Sequence, residues 1–153
     1  MDATQRIAIN NNYEGVIVTP HISAVDFYMY LYDKKKKKML PVFQNIASDK
    51  TEGAMRYKHF SYVFEDAKTT QPALLSCTRT SNTDEDSCKT NCFLDQRIEA
   101  YTFNGEAWLP KFTLQKTMEG QATPRYNVEC KDAALRKTIY ANRSRMITHF
   151  FRK

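Results

Sequence analysis

The residues best suited to a chemical task are cations grouped with an aromatic side chain near the carboxyl end of the chain. These cations are Arg136, Lys137, Arg143 and Arg145, and Tyr140 lies among them. A guanidinium is planar and donates two hydrogen bonds at once to a phosphate, whereas a tyrosine ring offers a flat face on which an unpaired base can stack. This combination of side chains favours contact with a nucleic acid.

A second group of cations is an uninterrupted lysine run that consists of Lys34, Lys35, Lys36, Lys37 and Lys38. Adjacent like charges repel one another, so we expect the run in a solvated loop or at a hairpin tip, where it can reach a phosphate backbone. Two other interpretations stay open. Short lysine-rich runs serve as nuclear-import signals, and lysines also protect sheet edges against aggregation.

The positive charge of the chain is concentrated in its last segment. The formal charge is +2 over residues 1–76, −2 over residues 77–120 and +6 over residues 121–153. A basic segment that is rich in Arg and aromatic residues is the electrostatic footprint of a nucleic-acid contact surface. Alternatively, these cations are solvated, pair with the acidic stretch 84–86, or take part in an oligomer contact.

No catalytic motif accompanies the cations. The sequence contains no Gly-rich phosphate-binding loop, no hydrolase nucleophile elbow and no zinc-protease helix motif. His21, His59 and His149 are dispersed along the chain, and no nearby Ser or Cys marks one of them as a general base. We therefore expect a protein that is not an enzyme and that needs no cofactor.

The cysteines are compatible with three states. Cys88 and Cys92 are separated by three residues, a spacing found in zinc sites, but Cys77, Cys130 or His59 would have to complete such a site. Their even number also allows disulfides, whereas the lack of an export signal favours free thiols. Because a second closely spaced pair of ligands is missing, no metal site is predicted.

The elements that position these side chains are expected to form a single α+β domain over residues 1–153, a mainly antiparallel β-sheet with a C-terminal amphipathic helix. Strands are predicted at residues 15–19, 25–32, 39–43, 55–64 and 73–80. Residues 93–103 and 107–115 flank Asn104-Gly105, the strongest hairpin signal in the chain. No stretch approaches the roughly 20 apolar residues of a membrane span, so no membrane partner is expected.

Alternation along two of these strands collects aromatic residues on one face of each, namely Tyr28, Tyr30 and Tyr32 on one strand and Phe60, Tyr62 and Phe64 on the other. An aromatic face can stack unpaired bases. Because a terminal helix must cover one face of the sheet, a role in the core is favoured over a role in stacking.

The terminal helix is predicted from Asp132, a residue type common at the N-cap, almost to Lys153. One stripe of this helix is apolar and should pack on the sheet: Leu135, Ile139, Met146 and Phe150. The neighbouring stripe carries the cations, with Lys137 at its border: Arg136, Tyr140, Arg143, Ile147 and Phe151. Since no glycine stop follows, the helix is compatible with continuation in a longer chain.

The amino-terminal part resembles a viral family. The segment Ile9–Pro20, the aromatic strand after it and the run Lys34–Lys38 look like the N-terminal part of the baculovirus early DNA-binding nuclear phosphoprotein family. The resemblance implies a nuclear, nucleic-acid-associated viral protein that supports late gene expression and accumulates at sites of viral replication. The long Lys/Ser-rich tail of that family is missing here, as it would be in a truncated domain.

The sequence thus predicts a non-enzymatic, sequence-tolerant nucleic-acid-binding protein, with DNA favoured over RNA and the nucleus favoured over the cytoplasm. The lysine run and the cations of the terminal helix would supply the phosphate contacts. The competing interpretation is a self-associating virion or scaffold protein, a homo-oligomer in which the helix and the aromatic strand bury against second copies.

Overall fold

The computed structural model describes residues 3–19, 26–47, 49–52, 55–82, 93–119 and 123–151 of the chain. Its described part is mostly antiparallel β-sheet, followed by two helices at the carboxyl end. Neighbouring strands in each sheet are consecutive in sequence, and all the pairings among the described strands are antiparallel. The predicted dominance of antiparallel sheet is confirmed.

The first sheet has four strands in sequence order: β1 (Ala3–Ala8), β2 (Tyr13–Thr19), β3 (Asp26–Asp33) and β4 (Lys38–Ala47). Val16 in β2 and Leu31 in β3 are buried. The register pairs Val16 with Tyr30 and Leu31 with Gly15, so the two buried side chains lie on opposite faces of this sheet. The pairing of Asp33 with Lys38 closes the β3–β4 hairpin and leaves residues 34–37 as its turn.

The second sheet has six strands: β5 (Asp49–Glu52), β6 (Met55–Glu65), β7 (Pro72–Asn82), β8 (Phe93–Phe103), β9 (Trp108–Glu119) and β10 (Arg125–Glu129). Their order in the sheet follows the chain, so β5 and β10 are the outer strands. Of the ten strands in the described part of the chain, β1, β5 and β10 lie outside the set that the sequence predicted.

The hairpin between β8 and β9 forms at the predicted turn. Gly105 has a φ of +100°, a value that glycine adopts without steric cost. The Asn104 side-chain oxygen accepts hydrogen bonds from the backbone N–H groups of Glu106 at 2.9 Å and Ala107 at 2.8 Å. Both residues of the predicted Asn-Gly signal therefore take part in the turn.

The carboxyl-terminal segment forms two helices, α1 (Ala133–Ala141) and α2 (Arg143–Phe150). Asp132 caps α1 as predicted, since its carboxylate accepts the backbone N–H groups of Ala134 at 3.0 Å and Leu135 at 3.1 Å. The prediction of one uninterrupted helix is wrong at Asn142. That residue leaves the helical conformation with φ −107° and ψ 13°.

The interruption changes which side chains face the sheet. Ile147 and Phe151, which the single-helix prediction places on the basic stripe, are buried and half-buried against the core. The predicted apolar stripe also packs there, with Ile139 buried and the rest half-buried: Leu135, Met146 and Phe150. Asn142 thus lets residues from both predicted stripes reach one core.

That core lies between the helices and one face of the six-stranded sheet. The strand register places Cys77, Ile98 and Leu114 side by side across β7, β8 and β9, and all three are fully buried. Ile139 and Ile147 cover them from the helices. Full burial of an aliphatic side chain contributes about 1.5–3 kcal/mol, so this row of contacts fixes the helices on the sheet.

The two sheets contact each other near the turns at their ends. The ring of Tyr13 meets that of Phe103 edge-on, with 5.7 Å between the ring centroids. The Asn10 side-chain amide donates a hydrogen bond of 3.0 Å to the carbonyl oxygen of Thr70. Among the described residues, neither helix has the length and apolar character needed to cross a membrane.

Candidate nucleic-acid interface

The lysine run, residues 34–38, lies at a hairpin tip as predicted. Lys34 to Lys37 make the turn between β3 and β4, Lys38 begins β4, and all five lysines are exposed. The Asp33 side-chain oxygen accepts the backbone N–H groups of Lys35 and Lys36, each at 3.0 Å, and Lys37 adopts a left-handed φ of 52°. We call residues 34–38 the lysine turn.

The lysine turn is anchored at its first residue. The backbone N–H of Lys34 donates to the carbonyl oxygen of Asn12 at 2.8 Å, and its ammonium group donates to the carbonyl oxygen of Asn10 at 3.3 Å. The carboxylate of Asp33 lies buried at the base of the turn and offsets part of its charge. The turn therefore presents a convex group of solvated ammonium groups on a defined backbone.

A groove of about 410 Å³ separates the outer strand β10 from helix α1. We call it the tyrosine groove, and its lining residues are Tyr126, Asn127, Val128, Arg136, Lys137, Tyr140 and Ala141. The alternation of β10 turns Tyr126 and Val128 toward the helix side, where both pack against the core. The lining contains two cations and no carboxylate.

Three of the predicted helix residues, Arg136, Lys137 and Tyr140, are brought together by this groove. All three are exposed, and Tyr140 retains 48% of its accessible surface. They lie at positions i, i+1 and i+4 of α1, which places Arg136 and Tyr140 on one side of the helix. The cations of α1 thus converge next to an aromatic ring instead of scattering around the helix.

Arg143, predicted on the same stripe as Arg136 and Tyr140, packs against the Tyr140 ring. Its guanidinium carbon lies 4.2 Å from the centroid of the Tyr140 ring and 5.1 Å from that of Tyr126. Its Nη1 donates a hydrogen bond of 2.7 Å to the carbonyl oxygen of Tyr140. Arg143 is half-buried and does not line the groove, so its contacts are with the two rings rather than with the solvent-facing side.

Arg145 is exposed on α2 and lies outside the groove lining. Among the described residues, ion pairs join Arg6 to Glu14 and Arg97 to Glu99, each at 4.0 Å, and none involves α1 or α2. The alternative that the acidic stretch 84–86 neutralises these cations concerns residues outside the described part. Within it, the helix cations have no carboxylate partner.

Two further grooves differ in charge from the tyrosine groove. One of about 620 Å³ lies at the start of α1, where Lys111 and Lys131 are opposed by Glu129 and Asp132. The other, of about 450 Å³, lies beside β6 and α2 and is mainly apolar, with neither Lys, Arg, Asp nor Glu in its lining. Of these three grooves, the tyrosine groove combines cations that face no carboxylate with an exposed aromatic side chain.

The predicted aromatic strand lies at the margin of the core. Tyr62 and Phe64 keep 41% and 43% of their surface exposed. The Tyr62 ring is 5.8 Å from that of Phe150 in α2, and its hydroxyl donates to the Phe150 carbonyl oxygen at 3.3 Å. Tyr30 and Tyr32 are half-buried, whereas the side chains of Tyr28 and Phe60 lie outside the described part.

Sequence reasoning missed one polar contact on the opposite face of the six-stranded sheet. The His59 Nε2 lies 2.7 Å from the Ser76 hydroxyl, because the register of β6 and β7 sets these residues on adjacent strands. Burial lowers the pKa of His59 to about 4, against the opposing effect of Glu99. Ser76 is itself buried, and neither residue lines any of the three grooves above. This contact links the neighbouring strands β6 and β7.

The two described cysteines are free thiols. Cys77 lies in the core, where burial raises its pKa to about 12, and Cys130 is half-buried. The predicted alternatives that involve Cys88 and Cys92 concern residues outside the described part. Within that part, no three His, Cys, Asp or Glu side chains are grouped as metal ligands would be.

No protein-family model, curated protein or solved structure matches this chain. The chemistry of the interface therefore has to be inferred from its own side chains. Guanidinium and ammonium groups without carboxylate partners attract anions, and tyrosine faces attract flat, polarisable groups. A polyanion that carries aromatic rings offers both the negative charge and the flat groups that these side chains attract.

Proposed function

We propose that this protein is a non-enzymatic, sequence-tolerant nucleic-acid-binding protein, with DNA favoured over RNA. The observation that carries the proposal is the convergence of Arg136 and Lys137 on one groove that has no carboxylate in its lining. The exposed lysine turn supplies a second set of cations. Contacts of this type are made to phosphates, which all sequences share, so binding is expected to be tolerant of sequence.

The α+β assignment and the amphipathic character of the helical segment are part of this proposal. They are supported by the burial of Ile139 and Ile147 and by the exposure of Arg136, Lys137 and Arg145. In this arrangement the apolar side chains attach the helices to the sheet, while the cations are left for a partner.

We also propose a biological setting. The likeness of Ile9–Pro20 and the lysine turn to the baculovirus early DNA-binding nuclear phosphoproteins supports a viral accessory factor that acts in the host nucleus and promotes late gene expression. Sequence-tolerant binding suits such a factor, because it would coat nucleic acid at replication sites without reading individual bases.

The proposal is tested by replacing the four helix cations together with glutamine: Arg136→Gln, Lys137→Gln, Arg143→Gln and Arg145→Gln. Affinity for DNA in a gel-shift titration should fall, while the domain should stay folded because three of the four side chains are exposed. The contacts of half-buried Arg143 with two rings should account for any decrease in melting temperature. Unchanged affinity would show that the helix cations do not contribute to DNA binding.

A matched control changes the same number of exposed cations elsewhere on the surface: Arg6→Gln, Lys68→Gln, Lys111→Gln and Lys131→Gln. This variant has the same net charge as the helix variant. If binding depends on the helix surface, the control should retain most of its affinity. An equal loss in both variants would show that only the total charge matters.

A second candidate function, self-association as a virion or scaffold protein, is favoured by one observation. Tyr62 and Phe64 are large aromatic side chains that stay exposed on β6. An exposed aromatic surface of this kind can pack against another copy of the chain. Sedimentation would reveal a salt-resistant oligomer that does not bind nucleic acid.

A further inference from the structure

We infer that the tyrosine groove holds one unpaired nucleotide of a single-stranded nucleic acid, with the base against Tyr140 and the phosphate on Arg136 and Lys137. This inference rests on the proposed function and adds to it the strand preference and the roles of individual residues. It is argued from the shape of the groove, the state of its rings and the position of Arg143.

The rings of Tyr126 and Tyr140 are both in contact with Arg143. Its guanidinium carbon lies 5.1 Å from the centroid of the Tyr126 ring and 4.2 Å from that of Tyr140, whereas Arg143 is not among the residues that line the groove. The guanidinium therefore orients the Tyr140 ring without being part of the groove lining. Tyr140 accordingly combines a fixed orientation with 48% exposure, as a stacking platform requires.

The size and walls of the groove suit a nucleotide. Its volume of about 410 Å³ falls in the range of small-ligand sites, roughly 300–1,000 Å³. Val128 gives the strand wall an apolar part against which a base can pack. Arg136 and Lys137 lie on the helix wall, where a phosphate next to the base can reach them.

The groove selects against paired bases. In a duplex each base is covered on both faces by its neighbours, so it cannot stack on Tyr140 unless it is unpaired and extruded. Because β10 is the outer strand of its sheet, the groove is bounded on the sheet side by one strand alone. A single strand can therefore pass along it and place one base inside.

Arg143 acts in this scheme as a positioning residue and not as a phosphate contact. Its guanidinium is engaged by two rings and by the Tyr140 carbonyl oxygen at 2.7 Å. Planar stacking on an aromatic face is a property of arginine that lysine does not share. Arg143 is thus expected to support the tyrosine platform.

The test measures the affinity of the full chain for a fluorescein-labelled thymidine oligonucleotide and for its duplex with the complementary adenosine strand. Tyr140→Leu should lower the single-strand affinity by about fivefold to a hundredfold, the range for losing one stacked base, and leave the duplex affinity nearly unchanged. Tyr140→Phe keeps the ring and should retain the affinity. Tyr62→Leu removes a tyrosine of similar exposure outside the groove and should also retain it.

The outcomes separate this inference from the proposed function. Binding of both probes by the wild-type protein with no effect of Tyr140→Leu would overturn the nucleotide site and leave nucleic-acid binding intact. An equal loss for both probes in Tyr140→Leu would also overturn it, because a stacking platform acts on the unpaired base alone. Failure of the wild-type protein to bind either probe would overturn the proposed function together with the inference.

Discussion

The lysine turn and the tyrosine groove both present positive charge, but in surroundings of opposite shape. The lysine turn places five exposed ammonium groups on a convex hairpin tip. The tyrosine groove has two cations, Arg136 and Lys137, on the wall of a concave site between a strand and a helix. The turn thus has more charge, whereas the groove has aromatic surface and a defined volume.

In the proposed function, the strength of binding and the selectivity for single strands therefore have separate structural origins. A convex group of lysines attracts any phosphate backbone, and its contribution weakens as salt increases. A groove with an oriented ring can distinguish an unpaired base from a paired one. The lysine turn is accordingly expected to set the strength of binding and the tyrosine groove its preference for single strands.

The largest expected effect comes from removing the charge of the turn. Replacing all five lysines of the lysine turn by glutamine should lower the affinity for single strands and duplexes alike, by about 100-fold at low salt, because several phosphate contacts are lost. The slope of log affinity against log salt for duplex should become less negative by about 4 units. Fluorescence anisotropy at several salt concentrations measures both quantities. Unchanged affinity and an unchanged slope would contradict a contribution of the lysine turn to binding.

The next effect concerns the sheet that supports the groove. Burial holds the pKa of His59 at about 4, below the roughly 6.5 of an unfolded histidine. The unfolded chain therefore binds more protons, and the free energy of unfolding should fall by about 2 kcal/mol between about pH 7 and pH 5. Urea titrations at the two pH values measure it. In His59→Gln this part of the pH dependence should disappear, and its persistence would contradict the assignment.

A smaller effect separates the two roles that an arginine can have in the groove. Arg143→Gln should lower the single-strand affinity, by about tenfold or less, because the Tyr140 ring loses the guanidinium that holds its orientation, and it should leave the salt slope unchanged. Arg136→Gln, the matched control, should reduce the slope by about 0.7 because it removes a phosphate contact on a single strand. If Arg143→Gln changes the slope as Arg136→Gln does, then Arg143 is a phosphate contact.

The smallest expected effect concerns the N-cap of α1, the helix that forms one wall of the groove. Asp132→Ala removes two hydrogen bonds to the first turn of α1 and should cost about 1 kcal/mol in the free energy of unfolding. Asp132→Asn retains a capping oxygen and should cost less. Calorimetry of the two variants provides the comparison, and equal stability of Asp132→Ala and wild type would contradict the capping role.

The lysine turn was the more predictable of the two regions. Like charges at adjacent positions force solvation, so the sequence of residues 34–38 is sufficient to expect a loop or hairpin tip. The Asn104-Gly105 turn and the Asp132 cap follow in the same way from local backbone chemistry. These features depend on few neighbours, which is why the residue pattern predicts them.

The tyrosine groove was less predictable because it depends on features with weak local signals. Strand β10 has only five residues with two apolar side chains, and its pairing with β9 comes from backbone hydrogen bonds. The end of α1 at Asn142 moves Arg143 against Tyr126 and Tyr140. The sequence indicated the groove residues of α1 but not the strand opposite them.

The most direct test of nucleic-acid binding is a salt titration of the wild-type protein with a DNA duplex. If the lysine turn and the helix cations together contact about six phosphates, the logarithm of the affinity should fall linearly with the logarithm of the salt concentration, with a slope near −5. A slope near zero, or no detectable binding at low salt, would contradict the account.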